Sequence, residues 1–446
     1  MRRVLDRMRG PACVAVLAAA SVNACDRGSG DPAPQRSDDA GPSSAADPSS
    51  AADPSRAPAA PAASGTEVAP AVPPAPARTK LTLLAGGDVS YGRMVGQILL
   101  KNPEHELFST LAPWIRSADV SFCNLESPLS DQKGETQSPH NNLVFNGPPS
   151  GADSLARAGF TVVSTANNHA WDYGKSALFE TMDNLERAGV LYVGTGRDRA
   201  AAYRPLILER DGFRLGIFAV THIWNQGQLS SHEGAEYVAA PAAPNQPDVL
   251  AHAVRALRAE GRVDAIAVSY HGGAEYIPDP LPRTIEVLRG AIDAGADIVI
   301  GHHPHVIQGV EWRGDRPILY SLGNLLFRMH SKYPRTGMGY MARIVFTRGA
   351  APTVEACPYR IHGIVPMPFA GDPDRASYES QFFSHLAMIS KTVGGTTIGP
   401  SGADGCAALT PPSPKVPSAP SSKIPSAPST TRPPQPGATG SSPVPP

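Results

Sequence analysis

The 446-residue sequence lacks an excess of charge of either sign, with 39 Lys and Arg against 40 Asp and Glu. Nucleic-acid-binding proteins normally carry a basic footprint, so this balance argues against a nucleic-acid partner. The five cysteines include no C-x-x-C spacing, which removes the usual zinc ribbon and thiol redox site. Cys123, Cys357 and Cys406 allow at most one intramolecular disulfide, and their spacing leaves the pairing open. No Gly-x-Ser-x-Gly elbow or P-loop lysine motif occurs, so ATP-driven polymer ligation by this chain alone is not expected.

The N-terminus begins with the basic stretch MRRVLDRMRG, followed by the short apolar stretch PACVAVLAAASVNA. This is the shape of a signal peptide, and the apolar stretch is too short to span a membrane. Residues 1–25 resemble a lipoprotein-type signal peptide, because VNAC places Cys25 where such proteins carry the lipid. Asn23 is atypical at its position, so ordinary secretion with cleavage nearby stays open. We predict an exported protein, anchored to a membrane through the lipid and facing the periplasm or the cell surface.

Two low-complexity segments flank the central part of the chain. Residues 26–79 are rich in Ala, Pro and Ser, and residues 401–446 are rich in Pro and Ser. Such segments bury too little apolar surface to offset the entropy of ordering them, so we predict a disordered tether and a disordered tail. Residues 80–400 remain, and they suffice for one large α/β domain.

Apolar runs of strand length alternate with stretches of helical spacing in this central part. The runs are KLTLLAGGDV, DVSFCNLE, FTVVSTAN, VLYVGT, RLGIFAVT, DAIAVSYH and DIVIGHHP, and the helical stretches are residues 104–117, 175–188, 248–260 and 282–294. The alternation predicts a largely parallel sheet covered by helices. After Gly301, the hairpin-like pieces of VEWRGDRPILYSLGNLLF predict antiparallel strands of a second sheet.

Polar residues follow the carboxyl ends of the predicted strands, in GGDVS, NLES, ANNHAWDYG, YHGG and GHHPH. Catalytic groups of α/β sheets gather at this edge, so the five clusters are predicted to converge on one cleft. The candidates are Asp88, Glu126, Asn168, His169, His271, His303 and His305. This mixed oxygen and nitrogen set suits one or two ions of Mn, Fe or Zn. The spacing of His303 and His305 predicts an extended segment with both imidazoles on one side, stiffened by Pro304. His302 is predicted to point the other way, either to support the ligands from behind or to pack in the core.

Six motifs, taken in order, resemble a known family. GDVSYGR, NLESPLS, ANNHAWDYG, HGGAEY, GHHPHVIQ and YSLGNLLF are similar to those of the CapA-like poly-γ-glutamate capsule-synthesis family, within the calcineurin-like metallophosphoesterase superfamily. The resemblance covers residues 81–327. It implies an α/β fold, a four-layer αββα metallophosphoesterase-like sandwich of two mixed sheets flanked by helices.

The resemblance also implies a role for each candidate residue. The implied metal ligands are Asp88 on one ion, Glu126 in the bridging position, Asn168 and His271 on the second ion, and His303 and His305 divided between the two. His169 would act beside the metals, by donating a proton to the leaving group or by stabilising charge on the substrate.

The sequence departs from the superfamily pattern at three places. Ser90 stands where the first motif carries a histidine, and the second motif offers Glu126 as its one acidic residue. Gly272 replaces a tryptophan that usually follows the histidine of the fourth motif. The missing donors put two-metal phosphodiester hydrolysis in question and leave a one-metal site, or a different chemistry, open.

Other residues of the motifs are candidates for supporting roles. Asn167 and Asp172 are predicted to fix the loop geometry behind the ligands. Glu275 and Tyr276 are candidates for contact with substrate. Asn324 belongs either to the rim of the cleft or to a turn.

Two functions from different classes are open on the sequence alone. One is an exported metal-dependent hydrolase that acts on a phosphoester or on a bond in an anionic envelope polymer. The other is a non-catalytic accessory protein that binds the anionic polymer during capsule synthesis or export. Either function is compatible with a place in a membrane-bound capsule-synthesis complex.

Overall fold

The structure is a computed structural model that describes residues 78–242, 248–328 and 332–413. The predicted signal peptide with Cys25, almost all of the predicted tether and most of the predicted tail lie outside these ranges. The strands are β1 (Lys80–Val89), β2 (Val120–Leu125), β3 (Val162–Ser164), β4 (Leu191–Val193), β5 (Leu206–Arg210), β6 (Phe213–Thr221), β7 (Ala265–His271), β8 (Ile298–His302), β9 (Val310–Arg313), β10 (Arg316–Leu319), β11 (Asn324–Leu326), β12 (Met338–Thr347), β13 (Ala350–His362), β14 (Val365–Pro368), β15 (Thr397–Ser401) and β16 (Ala407–Thr410). The α-helices are α1 (Arg93–Lys101), α2 (Ala112–Ser117), α3 (Ser150–Ala158), α4 (Gly174–Ala188), α5 (Arg199–Tyr203), α6 (Val249–Glu260), α7 (Pro282–Asp293) and α8 (Arg375–Ser390).

The strands form two mixed sheets. The first has the order β15-β16-β13-β12-β1-β2-β3-β4, with β11 paired to β1 and β14 paired to β13. In this sheet β1 to β4 run parallel, whereas β12 is antiparallel to β1. The second sheet has the order β5-β6-β7-β8-β10-β9, and β6, β7, β8 and β10 run parallel in it. The parallel strands and the antiparallel β9–β10 hairpin of the second sheet agree with the sequence pattern. The prediction was wrong for β11, which pairs parallel with β1 in the first sheet.

Alternation along the strands sorts the apolar side chains into three core layers. In β1, Leu83 belongs to the cluster between the two sheets, and Leu84 belongs to the cluster beneath α1 and α3. In β7, Ala267 lies in the cluster between the sheets, and Val268 lies in the cluster beneath α6 and α7. Since each sheet has one face on the other sheet and one on helices, the predicted four-layer αββα order is confirmed.

The helices agree with the sequence pattern in three of four predicted stretches. α4, α6 and α7 match, but residues 104–111 form turns, and only Ala112–Ser117 of that predicted helix is helical. The start at Ala112 is compatible with Pro113, because proline fits the first turn of a helix. None of the helices in the described ranges is long and apolar enough to cross a membrane.

The domain continues beyond residue 400, where the sequence predicted a disordered tail. β16 pairs antiparallel with β13, with Ala407 and Leu409 buried. Cys357 of β13 forms a disulfide with Cys406 just before β16, and Cys123 is a buried free thiol. AALT has only two inward-facing apolar residues, and this pattern is too short to predict a strand next to a Pro-rich tail. The domain boundary was therefore placed too early.

Candidate metal centre

The five polar clusters meet where β1, β2 and β3 of the first sheet and β7 and β8 of the second sheet end. Parallel pairing sets Asp88 beside Asn124 on neighbouring strands, and sets His271 beside His302. All seven candidate residues are buried, and none is more than 5% exposed. The predicted convergence on one cleft therefore agrees with the structure, and the carboxyl edges of both sheets supply the residues.

Two groups of potential metal ligands share one carboxylate. Glu126, His271 and His303 bring ligand atoms within 4.8 Å of one another, and so do Asp88, Glu126 and His305. Glu126 thus occupies the place between the groups that the family resemblance gives to a bridging carboxylate. His303 and His305 fall in different groups, which is the division that the resemblance implied.

The Oε1 atom of Glu126 is the centre of this arrangement. Nε2 of His271 lies 3.6 Å from it, Nε2 of His305 lies 3.7 Å away and Nε2 of His169 lies 4.0 Å away. Oε1 is buried, and it has no hydrogen-bond partner among the described residues. Two ligands about 2.1 Å from one tetrahedral ion lie about 3.4 Å apart, so these separations approach those of ligands around a cation.

His271 is held between two asparagines. Its Nε2 lies 2.7 Å from Oδ1 of Asn168, and its Nδ1 lies 3.2 Å from Nδ2 of Asn124. Because Nδ2 of Asn124 can only donate, Nδ1 accepts and Nε2 carries the proton to Asn168. For Nε2 to bind a cation as part of a neutral ring, the proton would have to move to Nδ1 and the Asn124 amide would have to turn its oxygen towards it.

Asn124 is the residue of the site that sequence reasoning missed. Its amide nitrogen also donates to Oδ1 of Asp88 at 2.9 Å, so one side chain links the two ligand groups. Oδ1 of Asn124 accepts from Asn167 at 3.3 Å. The signal in the sequence was a polar residue inside the apolar strand VSFCNL, and it is also the first residue of NLES.

The GHHPH loop brings its imidazoles together by turning, so the prediction of an extended segment was wrong. His303 has φ 98° and His305 has φ 57°, in a region that non-glycine residues seldom adopt. The turn lets the backbone N–H of His303 donate to Oδ2 of Asp88 at 3.2 Å. Backbone strain of this kind is concentrated at functional sites.

His302 lies behind the ligands, as its predicted packing role requires. Its ring is fully buried, 6.2 Å from the ring of Phe122 between centroids. Its Nδ1 lies 3.3 Å from Oδ1 of Asp88. Burial raises the pKa of Asp88, but the adjacent imidazoles of His302 and His305 outweigh it and hold that pKa well below its usual range.

The other titratable groups of the site are shifted by burial. Burial and the nearby Asp88 carboxylate raise the pKa of Glu126 well above its usual value. Burial and the neighbouring His303 lower the pKa of His271 well below its usual value, and burial with His305 lowers the pKa of His303 to about 3. Both imidazoles are therefore neutral at pH 7, which is the form that binds metal.

His305 is oriented by Asn324, which lies at the floor of the cleft. Asn324 donates through Nδ2 to the backbone carbonyls of His305 and Thr336, so its Oδ1 accepts from Nδ1 of His305 at 2.9 Å. Nε2 of His305 then keeps its lone pair towards Glu126. Asn324 is fully buried and begins β11, so neither of the two predicted places, rim or turn, agrees with the structure.

His169 is oriented by Asp172. Its Nδ1 lies 2.7 Å from Oδ2 of Asp172, which also accepts from the backbone N–H of Phe145 at 2.6 Å. The Phe145 ring stacks on the imidazole with centroids 4.5 Å apart. Asn167 supports the same loop, because its Oδ1 accepts from the backbone N–H of His169. Asn167 and Asp172 therefore both hold the loop around His169 through hydrogen bonds.

Two other predicted positions lie at the margin of this cluster. Ser90 is buried, and its Oγ accepts from the backbone N–H of Gly92 at 3.2 Å, so it stabilises the loop that follows β1. Glu275 is exposed at the mouth of the cleft.

The donor set fits a divalent transition metal. Neutral imidazoles, carboxylates and an amide oxygen converge, and the buried Nδ1 of His303 has no hydrogen-bond partner among the described residues, like Oε1 of Glu126. Buried polar atoms without a partner cost free energy, and a cation would satisfy them.

Comparisons with known proteins show that the chain is similar to bacterial capsule synthesis proteins. The family described as "Bacterial capsule synthesis protein PGA_cap" matches residues 82–329. The "Capsule biosynthesis protein CapA" of Bacillus anthracis is 30% identical over 251 residues, which are 56% of this chain and 60% of that protein. The "PGA biosynthesis protein CapA" of Bacillus subtilis is 27% identical over 287 residues, 64% of this chain and 73% of that protein.

A solved structure of low identity is also similar. The NAD nucleotidase NadN of Haemophilus influenzae is 14% identical, with a TM-score of 0.37, over 68% of this chain and 56% of that chain.

Proposed function

Because the chain belongs to the PGA_cap family of bacterial capsule synthesis proteins, we propose that it is a metal-dependent hydrolase acting on an anionic envelope polymer of the poly-γ-glutamate kind. The observation that carries this proposal is the buried, unpartnered Oε1 of Glu126, with three imidazole nitrogens within 4.0 Å of it. A phosphoester is the second substrate class that such a centre can take.

The residues that would hold the ion are those of the two ligand groups together with Asn168. Mn, Fe or Zn suits their mixed oxygen and nitrogen atoms. When bound, a divalent ion supplies Lewis acidity towards a carbonyl or phosphoryl oxygen. Asn324 holds His305 in the tautomer that this requires, with Nδ1 protonated and Nε2 free, because its amide oxygen fixes Nδ1. Asn124 contacts Nδ1 of His271 and fixes the position of that ring.

His169 is placed to transfer a proton. Asp172 holds Nδ1, so Nε2 faces the cluster, 4.0 Å from Oε1 of Glu126. In its doubly protonated form the imidazole can donate the Nε2 proton to the leaving group of a bond held in the cleft, and the neutral ring that remains keeps its Nδ1 proton towards Asp172. Phe145 covers one face of the ring and limits the access of water to it.

A second function, non-catalytic binding of the polymer, is favoured by one observation. Ser90 takes the place of a histidine and caps a loop instead of contributing a ligand atom. The group around Asp88 therefore offers fewer donors than a two-metal hydrolase uses. In this alternative the centre holds carboxylates of the polymer without breaking a bond.

We also propose that the protein is exported and lipidated at Cys25. The support is the basic and apolar start of the chain and the VNAC stretch. A radiolabelled palmitate experiment in the native host tests it. Incorporation into the full chain that disappears in Cys25→Ser supports the proposal, and incorporation of no label contradicts it.

The hydrolase proposal is tested with the full chain loaded with Mn, Fe or Zn. The substrates are poly-γ-glutamate and bis(p-nitrophenyl) phosphate. Hydrolysis of the polymer is measured by the release of amino groups. We expect turnover of one of them, lowered by about 10²- to 10⁴-fold in His169→Gln. His252→Gln, on the exposed face of α6, is the matched control. Binding of the polymer without turnover by any metal form would favour the accessory function.

A further inference from the structure

The mouth of the cleft carries an arginine that the proposed chemistry does not use. Arg93 begins α1, directly after the loop that follows Asp88, and its side chain is half-buried. Its guanidinium carbon lies 4.3 Å from the centre of the Phe145 ring, the same ring that stacks on His169. His169, Phe145 and Arg93 therefore form one column that leads out from the ligand groups. The cation–π contact holds the guanidinium in a defined position.

The charge of Arg93 is positioned but is not paired with a carboxylate. Among the described residues, its side chain donates one hydrogen bond, from Nη2 to the backbone oxygen of Asn142 at 2.8 Å. Nε and Nη1 are left without an acceptor in that part of the chain. Burial lowers the pKa of Arg93, and Tyr276 and Glu275 raise it through charge alone, without a hydrogen bond.

A second column rises from His305 beside it. The ring of Tyr276 lies 6.2 Å from that of His305 and stacks on Tyr333, with centroids 3.9 Å apart. Arg93 and Tyr276 have φ angles of 56° and 64°, in the region that residues with side chains seldom adopt. Two strained residues, Tyr276 beside His305 and Arg93 on the Phe145 ring that covers His169, indicate that this part of the molecule is built for a ligand.

We propose that Arg93 is the anion-recognising residue of this site: it binds a carboxylate or phosphate substituent of the substrate and so orients the adjacent bond towards His169. The planar guanidinium matches the two oxygens of such a group, which a lysine ammonium does not. This inference rests on the proposed function and names how the cleft selects an anionic polymer. In a polymer with one carboxylate in each unit, a single fixed arginine also sets which bond faces His169.

The test is calorimetric titration of the full chain, with and without added Mn. The probes are a short γ-linked glutamate oligomer, its methyl ester and inorganic phosphate. We expect Arg93→Met to weaken binding of the oligomer by about 10- to 100-fold, because a charge-assisted pair of hydrogen bonds is lost. Arg93→Lys should lose less affinity for the oligomer than Arg93→Met does. The methyl ester should bind to the wild type and to Arg93→Met with equally low affinity.

Arg116→Met is the matched control, because Arg116 is exposed and donates to one backbone carbonyl, that of Arg157. It should bind the probes like wild type. A loss confined to the oligomer assigns a carboxylate, and a loss confined to phosphate assigns a phosphate. The inference is overturned if Arg93→Met binds both probes like wild type, or if wild type binds neither. If Arg93→Met does not fold, binding of the same probes by Arg93→Lys is compared with binding by the wild type instead.

The outcomes separate this inference from the hydrolase proposal. Arg93-dependent binding without hydrolysis keeps the inference and removes the catalytic role. Hydrolysis together with binding that does not depend on Arg93 keeps the catalytic role and removes the inference.

Discussion

Oε1 of Glu126 and Nε2 of His271 lie 3.6 Å apart in a fully buried setting, and Oε1 has no hydrogen-bond partner among the described residues. The two atoms come from different sheets, since Glu126 follows β2 and His271 ends β7. A buried carboxylate without a partner destabilises the fold unless a cation or a proton compensates it. The predictions below follow from this relationship and from the residues that support it.

Glu126→Gln should stabilise the metal-free protein and weaken metal binding. Burial and Asp88 raise the pKa of Glu126 in the folded state, so its contribution to stability is present below its unfolded pKa and is lost as pH rises through the folded value. Denaturant unfolding of the metal-free chain between about pH 5 and about pH 8 measures this loss. Glu126→Gln should reduce the decrease in the free energy of unfolding with rising pH. Glu286→Gln, at an exposed position of α7, should leave that decrease unchanged. An equal fall in wild type and Glu126→Gln would contradict the assignment.

The acid side of the stability profile should depend on His303. Its folded pKa of about 3 lies below the ordinary value of 6.5, so its contribution is present above about pH 6.5 and is lost as pH falls towards 3. The slope for one such imidazole is at most about 1.4 kcal/mol per pH unit. In the metal-free protein His303→Gln should reduce the slope. His252→Gln, which removes an exposed imidazole, is the control, and the same slope in all three proteins speaks against burial as the cause.

Asp172→Asn should lower kcat more than KM. The amide can still contact Nδ1 of His169, but it no longer holds the imidazole with Nε2 free for proton transfer, since an amide nitrogen at that place would reverse the tautomer. We expect a loss in kcat of about 10- to 100-fold, with a changed pH profile. Asp183→Asn, at the surface of α4, is the control. A change in KM with kcat intact would instead indicate a structural role for Asp172.

The C-terminal hairpin should be part of the folding unit. Removing the Cys357–Cys406 disulfide with Cys357→Ser and Cys406→Ser should cost about 2–4 kcal/mol, because it closes a long loop. Truncation after Pro400 should destabilise at least as much, since it also removes β16. Truncation after Ser413 keeps every described contact and should leave the melting temperature unchanged. Equal melting temperatures for both truncations would place the boundary back at residue 400.

The sequence pattern predicts the parallel strands of both sheets because they are apolar and buried. β1, β6, β7 and β8 are buried over nearly their whole length, and a run such as DAIAVSYH leaves little choice of structure. The gathering of polar residues at strand ends then follows from the parallel order. Helices α1, α3, α5 and α8 were not predicted, and neither were β5 and β12 to β16. β16 has a pattern of only four residues, but β12 and β13 were missed although they are long.

The local geometry of the site could not be predicted from spacing. An extended GHHPH segment agrees with residue alternation, but contact with Asp88 from a different strand requires the backbone to turn at His303. Asn124 was missed for a similar reason, since its partners Asp88 and His271 are distant in sequence. Long-range contacts of this kind depend on sheet register, which the local pattern does not contain.

The measurement that tests the central claim most directly is the metal content of the purified full chain by elemental mass spectrometry, beside the His303→Ala/His305→Ala double variant. We predict a stoichiometric transition metal in the wild type after exposure to Mn, Fe and Zn, and its loss from the double variant while circular dichroism shows the fold intact. His252→Ala should retain the metal. A wild-type chain that stays metal-free under these conditions, or a double variant that retains the same metal content, would contradict the account.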